Sequence, residues 1–201
     1  MTSNTRSLAR ALLADDPLFF DTETTGLDSS AEICDIAIVD AAGQVLLNTL
    51  VRPTCAIPLE ASAVHGITDA DVAGAPTITA IWPELAALLA GPRPLVAYNA
   101  GFDRRMITQS CAARGLYIVN TDKALEEHLH CAMLLYAEHW GDWNYYKRSW
   151  RWQSLGVALS QQGIQIDGLH RALADAEAAR RIVMAMAGQP EGRPAALAEV
   201  R

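Results

Sequence analysis

The sequence predicts an α/β fold: a mixed five-stranded sheet, made of an antiparallel three-strand meander plus parallel strands, flanked by helices. Three observations predict it. Residues 17–51 hold three short apolar runs divided by turn chemistry, the pattern of a meander. From residue 59 onward helical periodicity takes over, interrupted by short apolar runs at 94–98 and 117–119 that suit further strands. The length of 201 residues, with 51% apolar and 19% charged side chains, fits one ordinary globular domain with a sizeable core.

Residues 5–14 read as a short amphipathic helix with Leu8, Leu12 and Leu13 on one face. The first strand, 17–23, opens on Pro17, which a strand tolerates at its first position. It is apolar from Leu18 to Phe20 and ends in Asp21 and Glu23. Side chains two apart in a strand share a face, so these carboxylates stand side by side. Two like charges so placed destabilise the strand unless a cation lies between them, and hard oxygen ligands suit magnesium or manganese. Taken alone, Asp-x-Glu reads first as an acidic strand end before a turn. The Ile- and Val-rich run 31–41 is the second strand, with Ile36, Ile38 and Asp40 on one face. Ala42-Gly43-Gln44 turns into a third strand at 45–51, ended by Arg52-Pro53.

Beyond the meander, 59–65 is a short helix stopped by Gly66, and Thr68 caps another turn with Asp69 and Asp71 close behind. Residues 78–90 form an amphipathic helix ended by Gly91 and Pro92. A buried strand at 94–98, a helix at 102–114 ended by Gly115, and a fifth strand at 117–119 follow. Helices are expected at 125–139, 153–161 and 172–187. Residues 1–187 are expected to form the folded domain and 188–201 a flexible C-terminal tail.

The formal net charge of −7 argues against attachment to nucleic acid by bulk positive charge, although it leaves room for an enzyme with local basic groups. The four cysteines show no C-x-x-C pair and no zinc spacing, so they read as reduced thiols, which fits a cytoplasmic location. Residues 1–14 hold too short an apolar run for a signal peptide, and no stretch approaches the roughly 20 apolar residues that span a bilayer.

Two further stretches carry acidic groups. Asn99-Ala100-Gly101-Phe102-Asp103 makes a tight turn into a helix. Asp103 falls in the first helical turn, where free N–H groups and the dipole favour a carboxylate even without a metal. Asn99 and Gly101 likewise read as turn residues. His170-Arg171-Ala172-Leu173-Ala174-Asp175-Ala176 opens the last helix, whose small residues allow close packing on the sheet. Asp175, among alanines, falls on a partly buried face, where a carboxylate needs a partner. His170 alone would read as an ordinary surface histidine.

Together, these stretches resemble the three exonuclease motifs of the DEDDh (DnaQ-like) 3′–5′ exonucleases, the group that includes the proofreading epsilon subunit of bacterial DNA polymerase III. FDTETTGL (20–27) matches the first motif, NAGFD (99–103) the second and HRALADA (170–176) the third, in order and spacing. His65-Gly66-Ile67-Thr68 matches a further element between the first two. The resemblance covers roughly residues 15–187. It implies an RNase H-like fold and a metal-dependent 3′–5′ exonuclease that releases 5′-mononucleotides, with DNA repair or proofreading as the leading expectation. RNA trimming by the same fold and a non-catalytic nucleic-acid-binding module are the alternatives. The Asn99–Asp103 and His170–Asp175 spacings speak against other nucleases or transposases with this core.

The same resemblance implies the roles. Asp21, Glu23, Asp103 and Asp175 would hold two ions, Mg²⁺ or Mn²⁺, with Asp21 reaching both and Asp103 often acting through water. His170 would be the general base, and its type selects the DEDDh branch over one with tyrosine. Thr24 and Leu27 would touch the 3′-terminal nucleotide, with His65 near it and Asn99 shaping the site behind Asp103. The implied partners are single-stranded nucleic acid or frayed 3′ ends, with DNA polymerase association as a further option, although the short tail favours a free-standing nuclease. One departure is that the acidic residue expected to open the helix after the fifth strand is replaced by His130-Cys131-Ala132-Met133. The chemistry suits these residue types. Phosphodiester hydrolysis needs an attacking hydroxide and a stabilised leaving oxygen, which two ions about 3.5–4 Å apart provide. An imidazole, with an unperturbed pKa of about 6.5, can accept the water's proton near neutrality.

Residues 140–152 are unusual. They hold four of the chain's five tryptophans, with Tyr145, Tyr146, Lys147, Arg148 and Arg151 opposed by Asp142 alone. The segment reads either as a tryptophan-rich satellite core, with Trp150 and Trp152 buried together, or as a substrate edge. In the second reading Lys147 and Arg148 contact the strand and a tyrosine stacks on a base.

Overall fold

The structure is a computed structural model and describes residues 2–188. The tail expected at 188–201 lies, beyond Gly188, outside the described residues. Helix α1 (Thr2–Ala14) leads into the meander β1 (Leu18–Thr24), β2 (Ile33–Asp40) and β3 (Val45–Leu50). Helices α2 (Leu59–His65), α3 (Asp69–Val72) and α4 (Ile78–Leu89) follow, then β4 (Leu95–Ala97), α5 (Ala100–Ala113) and α6 (Val119–His128). The chain continues through β5 (Leu129–Cys131), α7 (Ala132–Trp140), the hairpin β6 (Trp143–Asn144) and β7 (Ser149–Trp150), α8 (Leu155–Gln162) and α9 (Ala172–Ala187).

The main sheet has strand order β3-β2-β1-β4-β5. Strand β1 pairs antiparallel with β2 and parallel with β4, and β4 pairs parallel with β5. The mixed sheet flanked by helices agrees with the sequence-based expectation. Side chains alternate between two core layers. Leu18, Phe20, Ile36, Ile38 and Leu95 pack with α4, α5 and α6 through Leu85, Met106 and Leu125. Phe19, Val39 and Val96 pack on the other face with α1, α7, α8 and α9 through Ala9, Tyr136, Leu159 and Ile182. Ala176 and Ala179 are fully buried, so the small residues of α9 bring that helix close to the sheet. Phe19 is also fully buried, and truncating it to alanine would cost about 3–5 kcal/mol.

Four expectations are corrected. The fifth strand is Leu129–Cys131, not 117–119. Leu129, His130 and Cys131 pair with Leu95, Val96 and Ala97, whereas Tyr117 and Val119 are 93% and 76% exposed. The helix expected at 125–139 is therefore two helices, α6 and α7, divided by that strand. Leu8 is half-exposed, and Ala9 and Leu12 form the inward face of α1. Trp150 packs edge-on against Trp143 at 4.7 Å between ring centres, while Trp152 is 67% exposed, so Trp150 and Trp152 are not buried together.

Candidate active site

The site forms where parallel strands β1 and β4 end, the edge at which open α/β sheets place ligands. Asp21 and Glu23 project from β1 toward the layer that holds α9, and Asp175 comes from the first turn of α9. Oxygen atoms of Asp21, Glu23 and Asp175 lie within 4.8 Å of one another. A register shift in the β1–β2 pairing falls between Glu23 and Thr24. Such bulges re-aim side chains beside sites.

Asp103 arrives from the opposite layer, on α5, and is 2% exposed. The Thr22 hydroxyl donates to Asp103 Oδ1 at 2.9 Å. Thr22 alternates with Asp21 and Glu23 and so points to the α5 side, where it holds the fourth carboxylate against the end of β1. Asn99 precedes α5 at its N-cap, and its backbone carbonyl accepts from the N–H groups of Phe102 and Asp103.

His170 is exposed, and its backbone is left-handed at φ 68°. Its N–H donates to Asp175 Oδ1 at 3.1 Å. The next residue, Arg171, donates from Nε to Asp35 Oδ2 at 3.0 Å. The sequence pattern singles out none of Thr22, Asp35 and Arg171 as site residues. The alternation along Asp-Thr-Glu carried a signal for Thr22, but nothing local pointed to Asp35.

The electrostatics describe a site poised for cations. Asp21 is held well above the usual carboxylate range by burial first and then by Asp103, Asp175 and Glu23. Burial, with Asp175 and Asp35, raises Glu23 to about 7, and Arg171 opposes the rise. Burial raises Asp103 to about 7 against the lowering hydrogen bond from Thr22. Asp175 is raised by burial, opposed by the His170 N–H and imidazole. A hard divalent cation among these oxygens would offset the repulsion, so the donor set fits such an ion.

A cleft beside Glu23 is lined by Thr24, Leu27, Val64, His65 and Phe102. Leu27 is 77% exposed in it. Thr24 is buried, and its hydroxyl donates to the Gly26 carbonyl at 2.7 Å, so it shapes the turn. His65 is buried; Nδ1 accepts from the Ile67 N–H, which leaves Nε2 to donate to the Thr24 carbonyl at 3.2 Å. Lys147 and Arg148 stand with Tyr145 and Tyr146 in the exposed turn of the β6–β7 hairpin rather than among the carboxylates. The segment following the hairpin is tied to the site's end of the sheet, because the Tyr98 hydroxyl donates to the Gln153 carbonyl at 2.8 Å.

Fold and site together define a nuclease of the phosphodiester hydrolase class. Residues 18–183 match the family model described as RNase_T, Exonuclease. The chain belongs to this exonuclease family. It is 43% identical over 180 residues to a protein of Escherichia phage 186 described as "Uncharacterized exonuclease CP81", covering 89% of this chain and 92% of that protein. It is 38% identical over 90 residues to Exodeoxyribonuclease 10 of Escherichia coli K12, covering 44% of this chain and 39% of that protein. Among solved structures, Exonuclease X in complex with 5′ overhanging duplex DNA matches with a TM-score of 0.60 at 29% identity, covering 86% of this chain and 93% of that one. Exonuclease I matches with a TM-score of 0.66 at 19% identity, covering 85% and 41%, a likeness of fold. The expected RNase H-like architecture and DnaQ-like family agree with these relatives. Among the described residues, no helix is long and apolar enough to cross a membrane.

Proposed function

We propose that the protein is a 3′–5′ exonuclease that removes 5′-mononucleotides from the 3′ ends of DNA. The observation that carries this reading is the convergence of Asp21, Glu23 and Asp175 within 4.8 Å, beside Asp103 and an exposed cleft. The four carboxylates would hold two divalent ions, Mg²⁺ or Mn²⁺, which when bound activate a water and stabilise the leaving 3′ oxygen. His170 accepts the water's proton at its imidazole, held next to the cluster by its N–H bond to Asp175. Leu27 and the cleft wall at Thr24 and His65 receive the terminal nucleotide, and Asn99 fixes the turn that presents Asp103. Lys147 and Arg148 take the strand's phosphates, with Tyr145 or Tyr146 stacking on a base.

Relatives named for DNA support DNA over RNA: Exodeoxyribonuclease 10, and Exonuclease X bound to overhanging duplex DNA. Unpaired or frayed 3′ ends are the partner in this reading, and the cytoplasm is its location. A protein of Rhodobacter capsulatus described as DNA polymerase III subunit epsilon-like, 43% identical over 105 residues, supports a polymerase as a further partner.

The test is a panel of 5′-labelled oligonucleotides (single-stranded DNA, duplex DNA, mismatched duplex and RNA) with Mg²⁺ or Mn²⁺. The expected result is a labelled ladder shortening from the 3′ end, fastest on unpaired DNA. Immediate release of the labelled 5′ nucleotide, or preference for RNA, contradicts the reading.

A further inference from the structure

We propose that the ion pair between Asp35 and Arg171 is a latch that holds the His170 turn over the carboxylate cluster, so that both are positioning residues for the base. The inference rests on the reading of His170 as the general base.

His170 sits at φ 68°, a conformation that a residue with a side chain adopts at a cost and keeps only when its surroundings enforce it. Two contacts enforce it here. The His170 N–H bond to Asp175 is local and closes the turn onto the first turn of α9. The Arg171 bond to Asp35 reaches across 136 residues and fastens the turn to a central strand. Asp35 is 1% exposed, in register with Glu23 across the β1–β2 pair, and so it is a fixed point beside the site. A buried carboxylate given a guanidinium partner makes a strong charge-assisted bond, and losing that partner leaves the charge uncompensated.

Arg171 is the N-cap of α9, with extended backbone and no side-chain cap. That position favours Ser, Thr, Asp or Asn, whose oxygens accept from the free N–H groups, and arginine has no acceptor to offer. Its guanidinium is instead committed to Asp35. Asp35 is not one of the three carboxylates that approach one another at the cation cluster. The pair therefore fixes the entry to α9 from the side of the strand rather than from within the helix.

Loss of the latch frees the turn. Misplacing a catalytic group by about 1 Å costs up to roughly 10²-fold in rate. The test is single-turnover cleavage of 5′-labelled single-stranded DNA at saturating Mn²⁺ by Arg171→Gln, Asp35→Asn, His170→Ala and the double variant His170→Ala/Arg171→Gln. Mn²⁺ calorimetry and thermal melts accompany each variant. Arg171→Gln is expected to lose about 10–100-fold in rate, on the scale of such misplacement, with KM and Mn²⁺ affinity nearly unchanged. Asp35→Asn should show the same loss, and Arg171→Lys should recover part of it. The double variant should be no slower than His170→Ala, because a residue that acts through His170 has nothing left to position. A multiplicative fall in the double variant, or a rise in KM, would overturn the latch and assign Arg171 to the substrate strand. An unchanged rate in Arg171→Gln would overturn it too. Full activity of His170→Ala would remove the base itself, a failure of the underlying reading that is visible without any change at Arg171.

Discussion

Thr22 and Asp103 join the two layers of the molecule at the site: a hydroxyl on β1 donates to a buried carboxylate on α5, 81 residues away, at 2.9 Å. The bond lowers the pKa of Asp103 against a burial effect that raises it to about 7. Thr22→Val preserves the shape and removes the donor. In the metal-free protein Asp103 should then take up its proton at higher pH, so Mn²⁺, which has to displace that proton, should bind more weakly at pH 7. Losing the hydroxyl's bond to the carboxylate also costs about 1.5–3 kcal/mol. Mn²⁺ calorimetry between pH 6 and 8, with a thermal melt, checks both effects.

The metal-free protein should be more stable in mild acid. Glu23 and Asp103 have folded-state values near 7, raised from ordinary carboxylate values of about 4. Between those limits the folded state binds more protons than the unfolded one, so stability falls with rising pH. This contribution is fully present below about pH 4 and is lost as pH rises through 7. Melts in EDTA should show a lower midpoint at pH 8 than at pH 5, at about 2–4 °C per kcal/mol for a chain of this size. Mg²⁺ or Mn²⁺ should raise the pH 8 midpoint most, because a ligand that binds only the folded state stabilises it.

The hairpin turn offers a separable prediction. Lys147 and Arg148 are exposed, and Trp143 and Trp150 pack against each other beneath the turn. Lys147→Ala/Arg148→Ala should raise KM several-fold, leave kcat at saturating DNA nearly unchanged, and flatten the salt dependence of binding by up to about two in slope. An unchanged KM and salt slope with a lower melting temperature would make the turn a packing element.

Much of the site was legible because its information is local. Period-two alternation places Asp21 and Glu23 on one face, and Gly66 and Gly188 end α2 and α9 with left-handed backbones, as helix stops do. What escaped is non-local. Strand β5 has three residues and lies between two helices without turn chemistry, so its pairing with β4 is set by the sheet edge rather than by its own pattern. The partners of Thr22 and Arg171 lie 81 and 136 residues away, and no spacing rule links them. Local spacing couples Trp150 with Trp152, two residues apart, whereas the hairpin register brings Trp143 opposite Trp150.

The central claim is that the carboxylate cluster binds the ions that hydrolysis requires, and Asp21 stands at its middle, acted on by Asp103, Asp175 and Glu23 together. The most direct measurement is Mn²⁺ calorimetry on the wild type and Asp21→Ala, paired with cleavage of 5′-labelled single-stranded DNA. The wild type should bind Mn²⁺ and cleave. Asp21→Ala should bind it far more weakly and fail to cleave, while keeping its circular dichroism and melting at or above the metal-free wild-type midpoint, because one of several crowded like charges is gone. Mn²⁺ binding and turnover that survive unchanged in Asp21→Ala would contradict the account.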